Sequence, residues 1–223
     1  GEVIATDEIY HEMQKIRDAK GIQIVTCMRS VAASGGYYLA CGSDWIVANR
    51  MTFTGSIGVI MGGYNLTELL DRWGIDPMVY KSGKMKDIMS MSRVPTEEEK
   101  AYLQEMIDTS FGEFAKIVCK GRNLNLEEFL ASSNADGRVI SGANALDARL
   151  IDQLGYMEDA IAKAKNLCGK PSAKVVRYKA QPTLADVFTS MQAPRTSLAQ
   201  QLTGSYYPPL SKGHLYFVAP IVQ

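Results

Sequence analysis

Short apolar runs alternate with amphipathic helical segments along most of the chain, and this alternation constrains the fold more than any other feature. Residues 22–28 are short, apolar and β-branched, as is typical of a buried strand. Further strands are predicted at 45–48, 57–61, 77–80 and 173–178. Helices are predicted from Thr6, as the N-cap, to Gly21 and at 65–73, 96–120, 142–150 and 156–167. This order predicts an α/β domain with mostly parallel strand pairing.

The composition is that of an ordinary globular domain. The 223 residues are 46% hydrophobic and 22% charged, which argues against intrinsic disorder. The 24 Lys and Arg residues balance the 24 Asp and Glu residues, so no net charge steers the chain onto nucleic acid. No apolar run approaches the roughly 18–20 residues that cross a bilayer.

The cysteines indicate neither a metal site nor a disulfide scaffold. They are few and widely spaced, without a Cys-x-x-Cys pair or a nearby histidine: Cys27, Cys41, Cys119 and Cys168. Cys27 and Cys41 lie in apolar stretches and are interpreted as small core residues. The sequence contains no sign of a metal or an organic cofactor.

The chain is predicted to contain one main domain and a C-terminal extension. Residues 1–180 form the domain, and residues 181–223 form a C-terminal helix, a linker and an extended tail. A helical pattern starts directly after Gly1, so we expect the domain to be truncated at its N-terminus. The apolar residues 215–222 are expected to dock on a neighbouring subunit, in a substrate groove or at the edge of their own domain.

A candidate nucleophile lies in residues 32–38, which read Ala-Ala-Ser-Gly-Gly-Tyr-Tyr. Ser34 at the start of a helix would project its hydroxyl at the turn, and the Gly35 N–H would face a developing oxyanion. The absence of a Cβ on Gly35 and Gly36 would let a substrate backbone approach closely. The alternative is an ordinary helix N-cap, which is the commonest role of a serine at a turn.

A nucleophilic serine needs a base, and the two histidines are poorly placed to provide one. His11 falls within the first amphipathic helix and His214 in the tail, where both are interpreted as solvated. A lysine that burial keeps neutral is the other solution. Three lysines follow a strand-like run in a glycine-containing loop, and composition does not separate them: Lys81, Lys84 and Lys86.

Several motifs occur in a fixed order along the chain. They are residues 32–38, Thr-Gly-Ser-Ile-Gly-Val at 54–59, Lys-Ser-Gly at 81–83, Lys-Asp-Ile at 86–88, Ser90, Ala-Asp-Gly-Arg-Val at 135–139, and residues 143–155. This ordered set closely resembles the bacterial signal peptide peptidase A family. The resemblance spans residues 1–157, and residues after about 174 match only loosely.

The resemblance implies a Clp-protease/crotonase-like fold and a serine endopeptidase that degrades cleaved signal peptides through an acyl-enzyme. Matched by motif, Ser34 is the nucleophile and Lys86 the general base. Ser56 would orient the Lys86 amine. The backbone N–H groups of Gly35 and Gly1 would form the oxyanion hole. For Lys86 to be neutral it must be substantially desolvated, and the Asp87 carboxylate is expected to point away from its amine.

The resemblance also implies how such a peptidase is organised. Its catalytic domain would lie on the extracytoplasmic side of the bacterial cytoplasmic membrane, with a membrane anchor upstream of this fragment. A homo-oligomer would enclose an apolar chamber that accepts peptides. Four apolar residues suit either a substrate groove or the core: Met61, Met89, Met91 and Tyr37.

Three other functions remain open at this point. One is an acyl-thioester enzyme of the crotonase type, which the serine and the downstream lysine disfavour. Another is a protease of the kind that matures phage capsids. The third is a non-catalytic scaffold or assembly subunit that keeps the fold, and such a subunit would not react with a serine-directed probe.

Overall fold

The computed structural model describes residues 1–178, in which short strands alternate with helices. The helices are α1 (Val3–Lys20), α2 (Gly35–Ala40), α3 (Thr67–Arg72), α4 (Glu97–Arg122), α5 (Leu126–Leu130), α6 (Gly142–Asp147) and α7 (Met157–Leu167). The strands are β1 (Val25–Met28), β2 (Trp45–Ala48), β3 (Phe53–Gly55), β4 (Val139–Ser141) and β5 (Gln153–Leu154). Within these residues no helix has the length and apolar character to cross a membrane.

Two small sheets organise the described residues. The first has the order β1-β2-β5, and both of its pairings are parallel, with Val25 opposite Trp45 and Val47 opposite Gln153. The second pairs β3 with β4 in antiparallel fashion. The predicted α/β class with parallel pairing is therefore confirmed.

The parallel sheet carries helices on both faces. Residues alternate between the faces of a strand, so Ile46 and Ala48 share one face of β2 and Trp45 lies on the other. Ile46 and Ala48 belong to the buried core with Tyr37 and Phe114, which come from α2 and α4. On the opposite face Lys163 of α7 places its ammonium 3.4 Å from the centroid of the Trp45 ring.

Buried polar contacts join the sheet to the helices. The Tyr37 hydroxyl donates to the Leu150 carbonyl at 2.8 Å. Arg122, at the end of α4, binds both carboxylate oxygens of Asp152 at 2.7 and 2.9 Å. The same carboxylate accepts the Ile46 N–H at 2.7 Å. This network holds α2 and α4 against the edge of the sheet.

The structure corrects several predicted elements. Residues 57–61, 77–80 and 173–178 form no strand: most of them pair with no strand of residues 1–178, and residues 71–84 are exposed. Glu2, and not Thr6, caps α1: its carboxylate accepts the N–H groups of Ile4 and Ala5. The predicted extension 181–223, with the tail 215–222, lies outside the described residues.

Two glycines of α4 test the packing of this helix. A Cβ on Gly121 would lie 2.3 Å from the Cys41 carbonyl oxygen, whereas a Cβ on Gly112 would meet nothing within 4 Å. We expect Gly121→Ala to lower the free energy of unfolding by about 1–3 kcal/mol through overpacking. Gly112→Ala should raise it by about 0.5–1 kcal/mol through helix propensity. Urea unfolding of both variants measures the two free energies. Equal changes in the free energy of unfolding would contradict the close contact of Gly121 with the Cys41 carbonyl.

Candidate active site

Ser34 occupies the N-cap position of α2, yet it does not cap the helix. Its side chain makes no capping hydrogen bond, so the N-cap interpretation is wrong. The residue is 1% exposed, and within residues 1–178 its hydroxyl has no hydrogen-bond partner. Its backbone adopts φ 57° and ψ −121°, a region that is costly for any residue with a Cβ and is typical of functional sites. A buried hydroxyl held in this way is available for chemistry.

Strand β3 holds the segment before Ser34 in place. The Ser34 N–H donates to the Gly55 carbonyl at 2.8 Å, and the Ala32 N–H donates to the Phe53 carbonyl at 2.9 Å. The Thr54 hydroxyl donates to the Ala32 carbonyl at 2.7 Å. These bonds fix the backbone on the N-terminal side of Ser34, and they impose its unusual dihedral angles.

The two predicted oxyanion-hole residues lie side by side. A Cβ on Gly35 would lie 3.3 Å from the Gly1 nitrogen and 3.0 Å from the Thr6 hydroxyl. A Cβ on Gly1 would lie 2.8 Å from the same hydroxyl. Only glycine allows this approach of α1 to α2, and so the start of the chain meets the residue that follows Ser34.

Ser56 follows β3 directly and is also buried. Its N–H donates to the Arg138 carbonyl at 2.7 Å, and its φ is 50°. The preceding Gly55 accepts the Ser34 N–H, so β3 brings Ser56 to the neighbourhood of Ser34. The structure thus gathers four of the five predicted site residues.

The fifth, Lys86, stands apart from them. The residue is exposed, so residues 1–178 of a single chain do not provide the desolvation that a neutral Lys86 needs. Within the same residues its ammonium has no hydrogen bond or ion pair, with Ser34 or any other group. The other two candidate lysines are occupied: Lys81 contacts Asp87 at 2.7 Å and Lys84 contacts Glu98 at 2.6 Å.

The prediction that the Asp87 carboxylate points away from Lys86 is confirmed. It accepts hydrogen bonds from Arg93 at 2.7 and 2.8 Å and from Lys81 at 2.7 Å. Arg93, and then Lys81, hold the pKa of Asp87 well below its usual range. Arg93 was not predicted, because nothing in its local sequence marks it. Glu99 was not predicted either, although its capping pattern with Thr96 is a usable signal.

The remaining predicted candidates are placed as follows. His11 is exposed on α1, and His214 lies outside the described residues. Tyr37 is fully buried and belongs to the core, whereas Met61, Met89 and Met91 are half-buried. Cys41 is buried, and burial raises the pKa of its thiol to about 12. Among residues 1–178 no cluster of three potential metal ligands occurs.

An apolar groove of about 1010 Å³ is lined by Ser30 and Val31, which precede the Ser34 turn, whereas Ser34 itself does not line it. Val31 and Phe53, which pair through an isolated parallel bridge, form part of its wall. Exposed apolar side chains from several elements complete the lining, among them Met51, Tyr156, Met157 and Val175. Such a groove suits an extended peptide with apolar side chains.

A model of Peptidase family S49 matches residues 16–170, which is more than half of the chain. The chain belongs to Peptidase family S49. This membership confirms the resemblance drawn from the ordered motifs, and it agrees with the fold which that resemblance implied.

Relatives of this S49 chain come from distant organisms. A protein of Enterococcus faecium, provisionally named signal peptide peptidase SppA, is 41% identical over 82% of this chain and 52% of its own length. A protein of Synechocystis, provisionally named protease slr0021, is 42% identical over 78% of this chain and 62% of its own. Serine protease SPPA, chloroplastic, of Arabidopsis thaliana is 30% identical over 92% of this chain and 28% of its own length. The chain therefore spans only part of each relative.

The strain at Ser34 can be measured by comparing two substitutions that both remove the hydroxyl. Glycine adopts φ 57° and ψ −121° without a Cβ penalty, whereas alanine keeps the penalty. We expect Ser34→Gly to be about 1 kcal/mol more stable to urea than Ser34→Ala, the net of relieved strain and greater unfolded-state entropy. Equal stability of the two variants would show that the backbone is not strained.

The buried carboxylate of Glu99 makes stability depend on pH. Hydrogen bonds from Arg93, and then from Thr96, lower the pKa of Glu99 from 4.5 to about 2. A lowered pKa stabilises the fold above the unfolded value, and this contribution disappears as the pH falls from about 4.5 towards 2. We expect the difference in urea midpoint between the natural chain and Glu99→Gln to be large near neutral pH and to shrink in acid. A difference that is constant with pH would contradict this assignment.

Proposed function

We propose that this chain is the catalytic domain of a serine endopeptidase in which Ser34 is the nucleophile and Lys86 the general base. The observation that carries the proposal is Ser34 itself. Its backbone is strained, its hydroxyl is buried without a partner in the described residues, and it lies next to two glycines that approach each other closely, in a member of Peptidase family S49. A non-catalytic scaffold would not require a strained serine with a buried hydroxyl at this position.

The proposed reaction follows from these groups. Neutral Lys86 accepts the Ser34 proton, and the alkoxide attacks the carbonyl carbon of the scissile peptide bond. The N–H groups of Gly35 and Gly1 stabilise the oxyanion, and the protonated lysine gives its proton to the leaving amine. Lys86 then activates a water that hydrolyses the ester. Ser56 would hold the Lys86 amine in position.

We choose Lys86 as the base because the other two lysines of the loop already form ion pairs. Lys81 and Lys84 each already contact a carboxylate, at 2.7 and 2.6 Å, whereas Lys86 makes no such contact within residues 1–178. The exposed Lys86 must lose water when it meets Ser34. Either a rearranged loop or a second copy of the chain would bring the two groups together.

A homo-oligomer is the arrangement that we favour, and its support is the surface near the Lys86 loop. Helix α3 contributes no buried residue, and large apolar side chains between residues 60 and 80 face solvent in the single chain. They include Tyr64, Trp73, Met78 and Tyr80, the last of which is 89% exposed. Exposed apolar surface of this kind is typical of protein contacts.

The substrates that we propose are cleaved signal peptides. Their apolar segments suit the groove beside Val31 and Phe53. The name of the Enterococcus faecium relative points the same way. Because such peptides remain at the membrane, we place the catalytic domain on the extracytoplasmic side of a cytoplasmic membrane, tethered by a segment outside residues 1–178.

Hydrolysis of a short apolar peptide tests the dyad. We expect Ser34→Ala and Lys86→Ala each to lower kcat/KM by at least about 10²–10⁴-fold, since nucleophile and base are both lost from the transition state. Lys84→Ala is the matched control, because it removes a lysine of the same loop that is paired with Glu98. Its kcat/KM should change by less than about twofold, as for an exposed ion pair.

An equimolar mixture of the two inactive variants shows where the dyad forms. Activity recovered in the mixture would place Ser34 and Lys86 on different copies of the chain, and no recovery would place them on one. Activity that survives Lys86→Ala would overturn this choice of base. An inactive natural chain would favour the scaffold, and cleavage of folded capsid-like substrates in preference to apolar peptides would favour the capsid-protease alternative.

A further inference from the structure

Arg93 joins two carboxylates next to the Lys86 loop. Its Nε and Nη2 atoms donate to Asp87 at 2.8 and 2.7 Å. Its Nη1 atom donates to Glu99 at 2.8 Å, and Nη2 also contacts the second oxygen of Glu99. The planar fork of an arginine is suited to binding two carboxylates at once, and lysine has no such fork.

Glu99 gives this cluster a rigid foundation. The residue is 2% exposed, and its carboxylate accepts the Thr96 N–H at 2.8 Å in the capping box of α4. A buried carboxylate must keep its partners, since an unpaired buried charge is strongly destabilising. The position of Arg93 is therefore set by the first turn of a 26-residue helix.

Asp87 is the residue that Arg93 controls, and it is the direct neighbour of Lys86. Three turn hydrogen bonds hold this loop: Lys86 N–H to Gly83, Ile88 N–H to Met85, and Ser90 N–H to Asp87, at 3.1, 3.1 and 2.9 Å. Because Asp87 directly follows Lys86, a released Asp87 carboxylate would stay within the range over which its charge acts on the Lys86 amine. A nearby carboxylate favours the protonated form of a lysine, and a protonated lysine cannot accept a proton.

We propose that Arg93 is a positioning residue for the base, because it draws the Asp87 carboxylate away from Lys86 and neutralises it. This inference rests on the proposed function of Lys86. The chain thereby keeps a carboxylate beside its general base without the rise in lysine basicity that such a neighbour brings. The low pKa of Asp87 agrees with this arrangement.

The other charges around the loop are paired among themselves. Lys81 is the second partner of Asp87, and Lys84 contacts Glu98. At the start of α4, Glu97 contacts Lys100. Without Arg93, the Asp87 carboxylate would keep only the half-exposed Lys81, so part of its charge would be free to act on Lys86.

The pH dependence of peptide hydrolysis tests the inference. Arg93→Gln is made together with Glu99→Gln, so that no unpaired carboxylate stays buried, and Glu99→Gln alone is the matched control. We expect the midpoint of the pH profile of kcat/KM to be about one pH unit higher in the double variant than in the control, because the Asp87 carboxylate then acts on the lysine. Adding Asp87→Asn should return the midpoint to that of the control, even if kcat stays low.

Arg93→Lys is a milder second variant that keeps the positive charge and tests the fork itself. Its midpoint should rise by less than that of Arg93→Gln, and Asp87→Asn should again cancel the rise. Urea unfolding shows whether each variant is folded under assay conditions. A purely structural role would lower stability or kcat without moving the midpoint.

Two failures are distinguishable. A natural chain whose activity does not depend on Lys86 would overturn the proposed function. A natural chain that depends on Lys86, with folded Arg93 variants whose midpoint does not move, would overturn the role of Arg93 alone. A shifted midpoint that Asp87→Asn leaves in place would also overturn it, since the shift would not come from the Asp87 carboxylate.

Discussion

The hydrogen bond from the Ser34 N–H to the Gly55 carbonyl is the constraint on which the rest of the site depends. It ties the turn before α2 to β3, and with the bond from Ala32 to Phe53 it imposes backbone angles that residues with a side chain rarely adopt. Strain of this kind persists only where the surroundings over-determine it. Here the antiparallel pair of β3 and β4 supplies the rigidity.

The consequence is a serine whose hydroxyl neither caps its helix nor meets a partner in the described residues. Gly35 follows it and lies against Gly1 and the Thr6 hydroxyl, so a Cβ at either glycine would be crowded by that hydroxyl, at 3.0 Å from Gly35 and 2.8 Å from Gly1. The Thr6 hydroxyl, which lies against Gly1 and Gly35, donates to the Glu2 carbonyl at 2.7 Å, and the Glu2 carboxylate caps α1. Local structure and site geometry are thus set by the same contacts.

Sequence patterns predicted the order of helices and strands well where each element has its own core face. Residues 45–48 match a real strand, and Gly142 and Met157 begin helices close to the predicted positions. Residues 77–80 have strand-like composition but pair with no strand within residues 1–178, and strand pairing cannot be predicted from a single segment. The candidate nucleophile Ser34 was identified from the sequence with its glycines, but its backbone strain was not, because the strain arises from bonds to residues about twenty positions away. Arg93 was not predicted because its role depends on tertiary contacts with two carboxylates, Asp87 and Glu99, that no sequence motif marks.

The central claim is that Ser34 is the activated nucleophile, and the most direct measurement is the site of covalent attachment. The protein is treated with a fluorophosphonate at neutral pH, digested, and mapped by mass spectrometry. The account predicts a single adduct, on Ser34, that is lost in Lys86→Ala. An adduct on another serine, or none on the folded natural chain, would contradict it.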